Sequence, residues 1–328
     1  MGLTPRERMA VRMSKLVLNF SDILLYIPLT RPHKGLDKMM RIKYGEGKRA
    51  ALDIARKSGT REKFPLLVYI HGGGFLSGNR TSRRFYCYNW AEKGYVTANI
   101  GYDYALDAEH PEHIRQIFKG IEFVLDKAEE YGIDTDKVVV AGESAGGYFA
   151  ALVAAVASHP SLYEELGIEF AYKDSFTVAA CVTLSGLFDP IRSIDTKFPL
   201  IALDVRTFLG KSAAELAQGR RNGDVPCVID DYVDAKFPPT FVVASKADRL
   251  AKESEDLRDE LVAAGVKHGF FLCTGINGVH AGALACELAA SGRECLRCAQ
   301  RFVADCLAER EKTGMRCDGG LRNTVANE

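Results

Sequence analysis

The chain is 328 residues long, and its 43 lysine and arginine residues balance 43 aspartate and glutamate residues, so the formal net charge is zero. This balance excludes the basic surface field that nucleic-acid binding requires, and it suits a small or uncharged substrate. Because 47% of the residues are hydrophobic, the chain can bury a large core, and its length suits one large domain or two ordinary ones.

The amino-terminal part of the chain places a basic segment before an apolar run at residues 16–27, as a signal peptide does. Asn19 and Asp22 interrupt this run, no small-residue cleavage site follows it, and it is too short and too polar to span a bilayer. No other segment is long and apolar enough, so we expect no membrane span. The pattern favours an amphipathic helix that rests on the protein, and association of residues 1–30 with a membrane surface is the minor alternative.

Two short segments, 39–44 and 50–55, flank Gly45-Glu46-Gly47 and predict a hairpin. After the hairpin, apolar β-like runs alternate with helical patterns, which predicts an α/β fold with a mostly parallel central sheet and helices on both faces. The predicted strands are 66–70, 95–100, 138–142, 178–184, 241–244 and 270–272, and the predicted helices are 88–93, 111–131, 147–158, 252–264 and 281–310. In such sheets the functional site lies at the carboxyl ends of the strands.

Residues 1–36 and 189–236 fit this alternation poorly. We therefore expect one domain over residues 1–328, with these two segments forming a cap over the carboxyl ends of the strands. Seven apolar residues recur at helical spacing in the first segment and should be buried against the rim above the site. They are Met9, Met13, Leu16, Val17, Phe20, Ile23 and Leu24.

The segment Gly142-Glu143-Ser144-Ala145-Gly146 lies between a β-like run and a helical stretch. A serine between two glycines on a strand-to-helix turn is typical of a nucleophile elbow. The serine there needs a strained, positive-φ backbone, and the two glycines remove side chains that would collide with the neighbouring strand and helix. The Ala145 N–H, at the start of the helix, is then a natural donor to a developing oxyanion.

A second motif, His71-Gly72-Gly73-Gly74-Phe75, follows the predicted strand at 66–70. Glycines let a backbone approach the substrate closely, so the N–H groups of this loop can complete an oxyanion hole. Each motif alone arises easily by chance. Their occurrence together, in this order and each after an apolar run, favours a catalytic interpretation.

These two motifs make the chain resemble the HGGG-type serine esterases of the α/β-hydrolase superfamily, which include hormone-sensitive-lipase-like and carboxylesterase-like enzymes. The resemblance runs from about Met39 to about Glu309. It includes the segments AEKGYV at 91–96, NIGY at 99–102 and FPPTFV at 237–242. Two departures concern the subfamily: Tyr102 is followed by Asp103 rather than arginine, and Glu143 stands where lipase-like members more often carry aspartate.

A serine nucleophile needs a histidine base and an orienting carboxylate, which follow it in the order Ser, Asp or Glu, His in this fold. His280 follows the last predicted strand, whereas His268 precedes it and so lies at the wrong end. Asp248 comes just after the strand at 241–244, while its rivals Glu253 and Asp256 fall inside a predicted helix. The resemblance also puts Asp248 and His280 at the family's acid and base positions.

The resemblance implies a serine hydrolase that cleaves carboxylic esters of small to medium acyl groups, with a Ser144–His280–Asp248 triad and no cofactor or metal. It places the oxyanion donors at Gly73, Gly74 and Ala145, while His71, Gly72 and Glu143 support the loop. An amidase, arylformamidase or peptidase on the same fold stays open, as does a ligand-binding protein without catalysis. A homodimer also stays open.

Nine cysteines occur, and Cys295-x-x-Cys298 invites a zinc or redox interpretation. No second ligand pair accompanies it, and Cys295, Cys298 and Cys306 fall near one face of the predicted helix at 281–310. We therefore predict cysteines packed under this helix rather than a metal site. So many thiols also favour a reducing compartment, the cytoplasm.

Overall fold

A computed structural model describes residues 4–26, 32–218, 226–287 and 289–313 of the chain; within the first range the side chains of residue 14 and of residues 17–26 are not described. Within these described ranges, eight strands form one sheet in the order β1-β2-β4-β3-β5-β6-β7-β8. The strands are β1 (Leu36–Lys43), β2 (Ala51–Lys57), β3 (Phe64–Ile70), β4 (Val96–Ile100), β5 (Ile133–Glu143), β6 (Ala180–Leu184), β7 (Thr240–Ser245) and β8 (His268–Cys273).

The β1–β2 and β2–β4 pairs are antiparallel, and every other pair in the sheet is parallel. The helices are α1 (Pro5–Tyr26), α2 (Arg84–Ala91), α3 (Glu112–Asp126), α4 (Ala128–Tyr131), α5 (Ala145–Ser158), α6 (Ser161–Glu165), α7 (Ile201–Leu209), α8 (Ala213–Ala217), α9 (Ala251–Ala263) and α10 (Ala290–Thr313). The predicted mostly parallel α/β sheet and its hairpin are confirmed.

The central strands are apolar on both faces because helices cover both faces of the sheet. Along β3, Leu66, Val68 and Ile70 belong to one core cluster, whereas Leu67 and Tyr69 belong to the other. Residues of α3 and α5 contribute to the first cluster, and residues of α2 and α10 contribute to the second. This double burial explains the continuous apolar runs by which the strands were predicted.

The hairpin contains an irregularity in its outer strand. The pairing of β1 with β2 shifts register between Met39 and Ile42. Arg41, in this shift, has a φ of 59° and donates its N–H to Oδ1 of Asp53 over 2.8 Å. The extra residue therefore forms a β-bulge at the edge of the sheet.

Helix α1 confirms the predicted amino-terminal helix but not the predicted burial of its apolar stripe. Met9, Met13 and Leu16 are exposed by 59%, 52% and 64%, whereas Val11 is fully buried in the main core cluster. The remaining predicted stripe residues, Val17, Phe20, Ile23 and Leu24, lie outside the described side chains. The physical reason is that α1 docks along a face containing Val11, so the residues on the opposite face point to solvent.

The last predicted helix begins later than its pattern suggested. Helix α10 starts at Ala290 rather than near residue 281, because a short 3₁₀ turn at Gly282–Leu284 follows the loop that carries His280. Cys295 and Cys306 pack from α10 against the sheet within the second core cluster, as predicted. Cys317 lies outside the described residues.

Candidate active site

Ser144 lies at the junction of β5 and α5 with a φ of 53° and a ψ of −123°, the strained conformation predicted for it. A Cβ on Gly142 would stand 2.2 Å from the carbonyl oxygen of Gly146, and a Cβ on Gly146 would stand 2.1 Å from that of Ile70. Real Cβ atoms do not approach a carbonyl oxygen so closely. The flanking glycines are therefore required by the tight packing of the turn.

Three side chains predicted from different parts of the chain form one hydrogen-bonded series. The Ser144 hydroxyl lies 2.8 Å from Nε2 of His280, and Nδ1 of His280 lies 2.8 Å from Oδ2 of Asp248. When Ser144 donates to Nε2, the imidazole proton is on Nδ1 and is donated to the carboxylate. This is the order of groups that increases the nucleophilicity of a serine hydroxyl.

Local backbone contacts hold Asp248 and His280 in place. The other carboxylate oxygen of Asp248 accepts the N–H of Leu250 over 3.0 Å, and the Asp248 side chain is fully buried. The N–H of Ala247 donates to the carbonyl of Gly278 over 2.8 Å, which joins the loop after β7 to the loop after β8. His280 itself is 25% exposed, so the imidazole borders solvent while its partner carboxylate does not.

The rival residues considered from the sequence lie elsewhere. His268 begins β8, at the end of the strand opposite to His280. Glu253 is buried and accepts the N–H groups of Phe188 and Asp189, each over 3.0 Å, and it also pairs with Arg192. Glu253 therefore anchors the start of the segment at 189–236 to α9, a role that sequence reasoning missed.

The glycine loop follows β3 on the same rim of the sheet. Gly73 and Gly74 have φ values of 128° and 59°, which favour glycine. Within the described part of the chain, their N–H groups donate to no protein acceptor. Ala145, the first residue of α5, likewise has no helical acceptor one turn earlier.

Glu143 connects the two motifs. Its Oε1 accepts the N–H of Gly72 over 2.7 Å and pairs with Nε of Arg83 over 2.5 Å, and its Oε2 accepts the Tyr69 hydroxyl over 2.5 Å. The carboxylate is 1% exposed, so these partners replace the water that burial removes. No sequence pattern pointed to Arg83 or Tyr69, because both contacts are long-range.

His71 lies beneath the glycine loop rather than beside Ser144. Its Nδ1 donates to the carbonyl of Gly72 over 2.8 Å, and its ring stacks on Tyr102 at a centroid distance of 4.6 Å. The Tyr102 hydroxyl in turn donates to the carbonyl of His71 over 2.7 Å. Burial lowers the pKa of His71 to about 3, so the imidazole is neutral and its contacts fix the loop.

Asp103, the departure from the family pattern, has a local structural explanation. Its carboxylate accepts the N–H groups of Arg49 and Lys48 over 2.7 and 3.2 Å, and its own N–H donates to Gln116 over 2.9 Å. Asp103 therefore fastens the turn of the β1–β2 hairpin to α3.

Residues from the segment at 189–236 reach both sides of the site. The ring centroids of Phe198 and His280 lie 4.7 Å apart. Further along the segment, Phe208 of α7 stacks on Phe75, the residue directly after the glycine loop, at a centroid distance of 4.0 Å. Helix α1 reaches the same segment, because Glu7 pairs with Arg206 over 2.7 Å.

The described residues contain no group of three side chains suited to hold a metal ion. Among the helices whose residues are described, none combines the length and hydropathy that a bilayer span requires. A separate cleft of about 540 Å³ lies between α2 and α10, and its lining includes Asn89, Glu287 and Arg293 but no residue of the series Ser144–His280–Asp248.

Residues 52–261 match the BD-FAE family model. The probable carboxylic ester hydrolase LipM of Mycobacterium tuberculosis is 28% identical over 220 residues, which cover 64% of this chain and 48% of LipM. Hormone-sensitive lipase of Mus musculus is 29% identical over 141 residues, covering 43% of this chain and 18% of the lipase. The chain thus spans about half the length of LipM and a smaller part of the lipase.

The crystal structure of esterase B from Lactobacillus rhamnosis superimposes with a TM-score of 0.81 at 20% identity, covering 94% of this chain and 98% of that one. At this identity the likeness shows the α/β-hydrolase fold. The relatives named above are ester hydrolases or lipases, which agrees with the resemblance found in the motifs. The chain belongs to the BD-FAE family, and the predicted relationship to hormone-sensitive-lipase-like α/β-hydrolases is confirmed.

Proposed function

We propose that this chain hydrolyses carboxylic esters of small to medium acyl groups through an acyl-enzyme formed on Ser144. The observation that carries the proposal is the continuous series of two 2.8 Å hydrogen bonds from Ser144 through His280 to Asp248. The esterase relatives support the same reaction class.

In the proposed reaction, His280 takes the hydroxyl proton as Ser144 Oγ attacks the acyl carbon. Asp248 keeps the proton on Nδ1 before the attack and stabilises the imidazolium that forms. The imidazolium then protonates the departing alcohol, which leaves the acyl group on Ser144. A water molecule, deprotonated by His280, then attacks the acyl carbon. The imidazolium returns this proton to Ser144 Oγ as the bond between Oγ and the acyl carbon breaks and the acid leaves.

We assign the stabilisation of the negative charge that develops on the carbonyl oxygen to the N–H groups of Gly73, Gly74 and Ala145. Their positive-φ or helix-start backbone leaves these donors without a protein acceptor in the described structure. Donors that are already oriented stabilise the tetrahedral intermediate more than water does, because they need no reorganisation. His71, Gly72 and Glu143 hold this loop against the elbow.

The substrate pocket is proposed to lie under a cap formed by residues 1–36 and 189–236. Support comes from the contacts of Phe198 with His280 and of Phe208 with Phe75, and from the ion pair between Glu7 and Arg206. A small substrate needs such walls to exclude water and to orient the ester. The proposed chemistry uses only side chains, backbone N–H groups and water.

The test compares Ser144→Ala with the unmodified chain on a nitrophenyl butyrate ester and on the matched butyramide. Loss of the nucleophile should lower turnover by about 10⁴ or more and abolish labelling by a fluorophosphonate probe. Ser161→Ala, at an exposed serine, provides the matched control and should keep both properties. Retention of more than about a tenth of the activity in Ser144→Ala would exclude the assignment.

The same assay separates the alternatives. A ligand-binding protein without catalysis predicts that the unmodified chain neither labels nor turns over. An amidase or peptidase predicts faster turnover of the amide than of the ester.

A further inference from the structure

One carboxylate lies among apolar residues on the inward face of α7. Ile201, Val205 and Phe208 lie on this face and are at most 5% exposed. Asp204 lies at helical spacing with them and is also only 5% exposed. An ordinary helix that packs on a core carries an apolar residue at such a position, so the aspartate needs an explanation.

Asp204 lies against the glycine loop. Its Oδ2 lies 2.7 Å from the point where a Cβ on Gly74 would stand, and its Cγ lies 3.3 Å from that point. The absence of a side chain on Gly74 is what lets the carboxyl group come so close. The carboxyl group therefore lies beside the loop whose N–H groups are assigned to the oxyanion.

The carboxyl group of Asp204 has no protein partner within the described structure. Its Oδ1 accepts no hydrogen bond, and no cationic side chain of the described residues pairs with it. Arg206, two residues along α7, pairs with Glu7 instead. Burial raises the pKa of Asp204 well above its usual range. Buried carboxyl groups without partners are costly and uncommon, and they concentrate at functional sites.

The stretch of chain that carries Asp204 borders the site at two places. Phe198 contacts the ring of His280, and six residues later Asp204 contacts Gly74. A substrate bound to Ser144 with its carbonyl at the glycine loop would thus bring nearby substituents close to this carboxyl group.

We propose, building on the esterase function above, that Asp204 is a specificity-determining residue that hydrogen-bonds a hydroxyl or amino group carried by the substrate near its scissile carbonyl. A carboxylate accepts from either group, and a protonated carboxyl accepts through its carbonyl oxygen and donates through its hydroxyl. The preferred substrates are then hydroxy- or amino-substituted esters rather than plain alkyl esters.

The experiment measures kcat/KM for ethyl butyrate and for three polar relatives: ethyl β-hydroxybutyrate, ethyl β-aminobutyrate and hydroxyethyl butyrate. The chains compared are the unmodified protein, Asp204→Asn, Asp204→Leu and the control Asp195→Asn. Asp195 is an exposed aspartate of the same segment. Circular dichroism and fluorophosphonate labelling verify that each variant is folded, and the isosteric asparagine is retained if leucine does not fold.

We expect at least one polar ester to be preferred over ethyl butyrate by the unmodified chain, and Asp204→Leu to reduce that ratio about tenfold or more. If the substrate group is an ammonium, the Asp204→Asn variant should lose the preference for the polar ester, as Asp204→Leu does. If the substrate group is a hydroxyl, Asp204→Asn should retain part of that preference. Asp195→Asn should leave the ratio unchanged.

In one outcome, the kcat/KM ratio of each polar ester to ethyl butyrate stays within about twofold of its value in the unmodified chain in both Asp204 variants, while ethyl butyrate is still cleaved. That result overturns this inference and leaves the esterase function standing. The absence of a preference for any of the three polar esters in the unmodified chain overturns it as well. If the unmodified chain cleaves no ester at all, the proposed function fails and this inference fails with it.

Discussion

The Oε1 atom of Glu143 lies 2.7 Å from the amide nitrogen of Gly72. Glu143 immediately precedes the proposed nucleophile, and Gly72 begins the glycine loop. One buried carboxylate therefore fixes the distance between the nucleophile elbow and the loop proposed to hold the oxyanion. Arg83 balances its charge, so the link is both a hydrogen bond and part of a buried ion pair.

Glu143→Gln should lower kcat by about 10- to 100-fold with little change in KM, because misplaced donors weaken transition-state stabilisation more than substrate binding. Removing the charge also breaks the buried ion pair of Glu143 with Arg83, which should lower the stability of the fold. Rates should therefore be normalised to the fraction of chains labelled by a fluorophosphonate. Glu143→Asp keeps the charge and should recover part of kcat; equal kcat values for all three chains would contradict a positioning role.

His280→Ala should reduce turnover of a nitrophenyl ester by about 10⁴, whereas His268→Ala should reduce it less than about twofold. The two histidines lie at opposite ends of β8, and only His280 contacts Ser144. Steady-state kinetics on both variants provide the measurement. A severe defect in His268→Ala beside an active His280→Ala would refute the proposed base.

Asp248→Asn and Glu253→Gln should separate catalysis from stability. An amide at Asp248 favours the wrong imidazole tautomer, so turnover should fall about 10⁴-fold with a nearly unchanged melting temperature. The Glu253 carboxylate accepts hydrogen bonds from Arg192 and from the Phe188 N–H. Replacing it by the amide of glutamine should therefore lower the melting temperature by several degrees, while the folded fraction keeps its turnover. Thermal melts and kinetics on both variants measure this difference. A loss of stability without a loss of turnover in Asp248→Asn, together with a loss of turnover at unchanged stability in Glu253→Gln, would contradict it.

His113 should make the fold sensitive to acid. It is fully buried among aromatic rings, neither ring nitrogen has a hydrogen-bond partner in the described structure, and burial lowers its pKa to about 3. The unfolded chain protonates this histidine near pH 6.5 and the folded chain does not, so stability falls as the pH drops from about 6.5 toward 3. His113→Leu should therefore lose less melting temperature between pH 7 and pH 5 than the unmodified chain. An identical pH dependence in both chains would contradict this account.

Deletion of residues 1–30 should change acyl-length preference and raise KM while Ser144 stays reactive toward a fluorophosphonate. The reason is that α1 contacts the other segment of the proposed cap, residues 189–236, through the ion pair of Glu7 with Arg206, and buries Val11 in the core. Esters of increasing acyl length provide the measurement. Unchanged selectivity in a well-folded truncation would exclude a role of this segment in the cap.

A membrane role for residues 1–30 makes the opposite prediction for the same deletion. Kinetics in solution would be unchanged and binding to anionic lipid vesicles would be lost. The combined variant Met9→Ser, Met13→Ser and Leu16→Ser is the matched control, since these three side chains are exposed and should not affect the cap.

The sheet and the elbow could be predicted because their determinants are local in sequence. Apolar runs mark strands that are buried on both faces, and the glycines beside Ser144 mark a turn whose packing leaves no space for a Cβ. The chain order of Asp248 and His280 follows from the order of strands in a parallel sheet, so both residues could be named before their contacts were known.

The parts that could not be predicted depend on contacts between distant segments. The partnership of Glu143 with Arg83 joins residues 60 positions apart, and nothing local to either residue indicates it. Helical periodicity in α1 identified a helix but not which face would be buried. Asp204 resembles any helical aspartate in sequence, and only its position over Gly74 distinguishes it.

The bulge at Arg41 also bears on how copies of this chain can associate. Among the described strands, β1 is the outermost on its side of the sheet, and a strand at a sheet edge can pair with another molecule. The register shift interrupts the regular row of N–H and C=O groups, and the exposed side chains of Lys38, Arg41 and Lys43 add like charges along this strand. Sheet-to-sheet joining across β1 is therefore disfavoured, and a dimer of this chain would have to form through another surface.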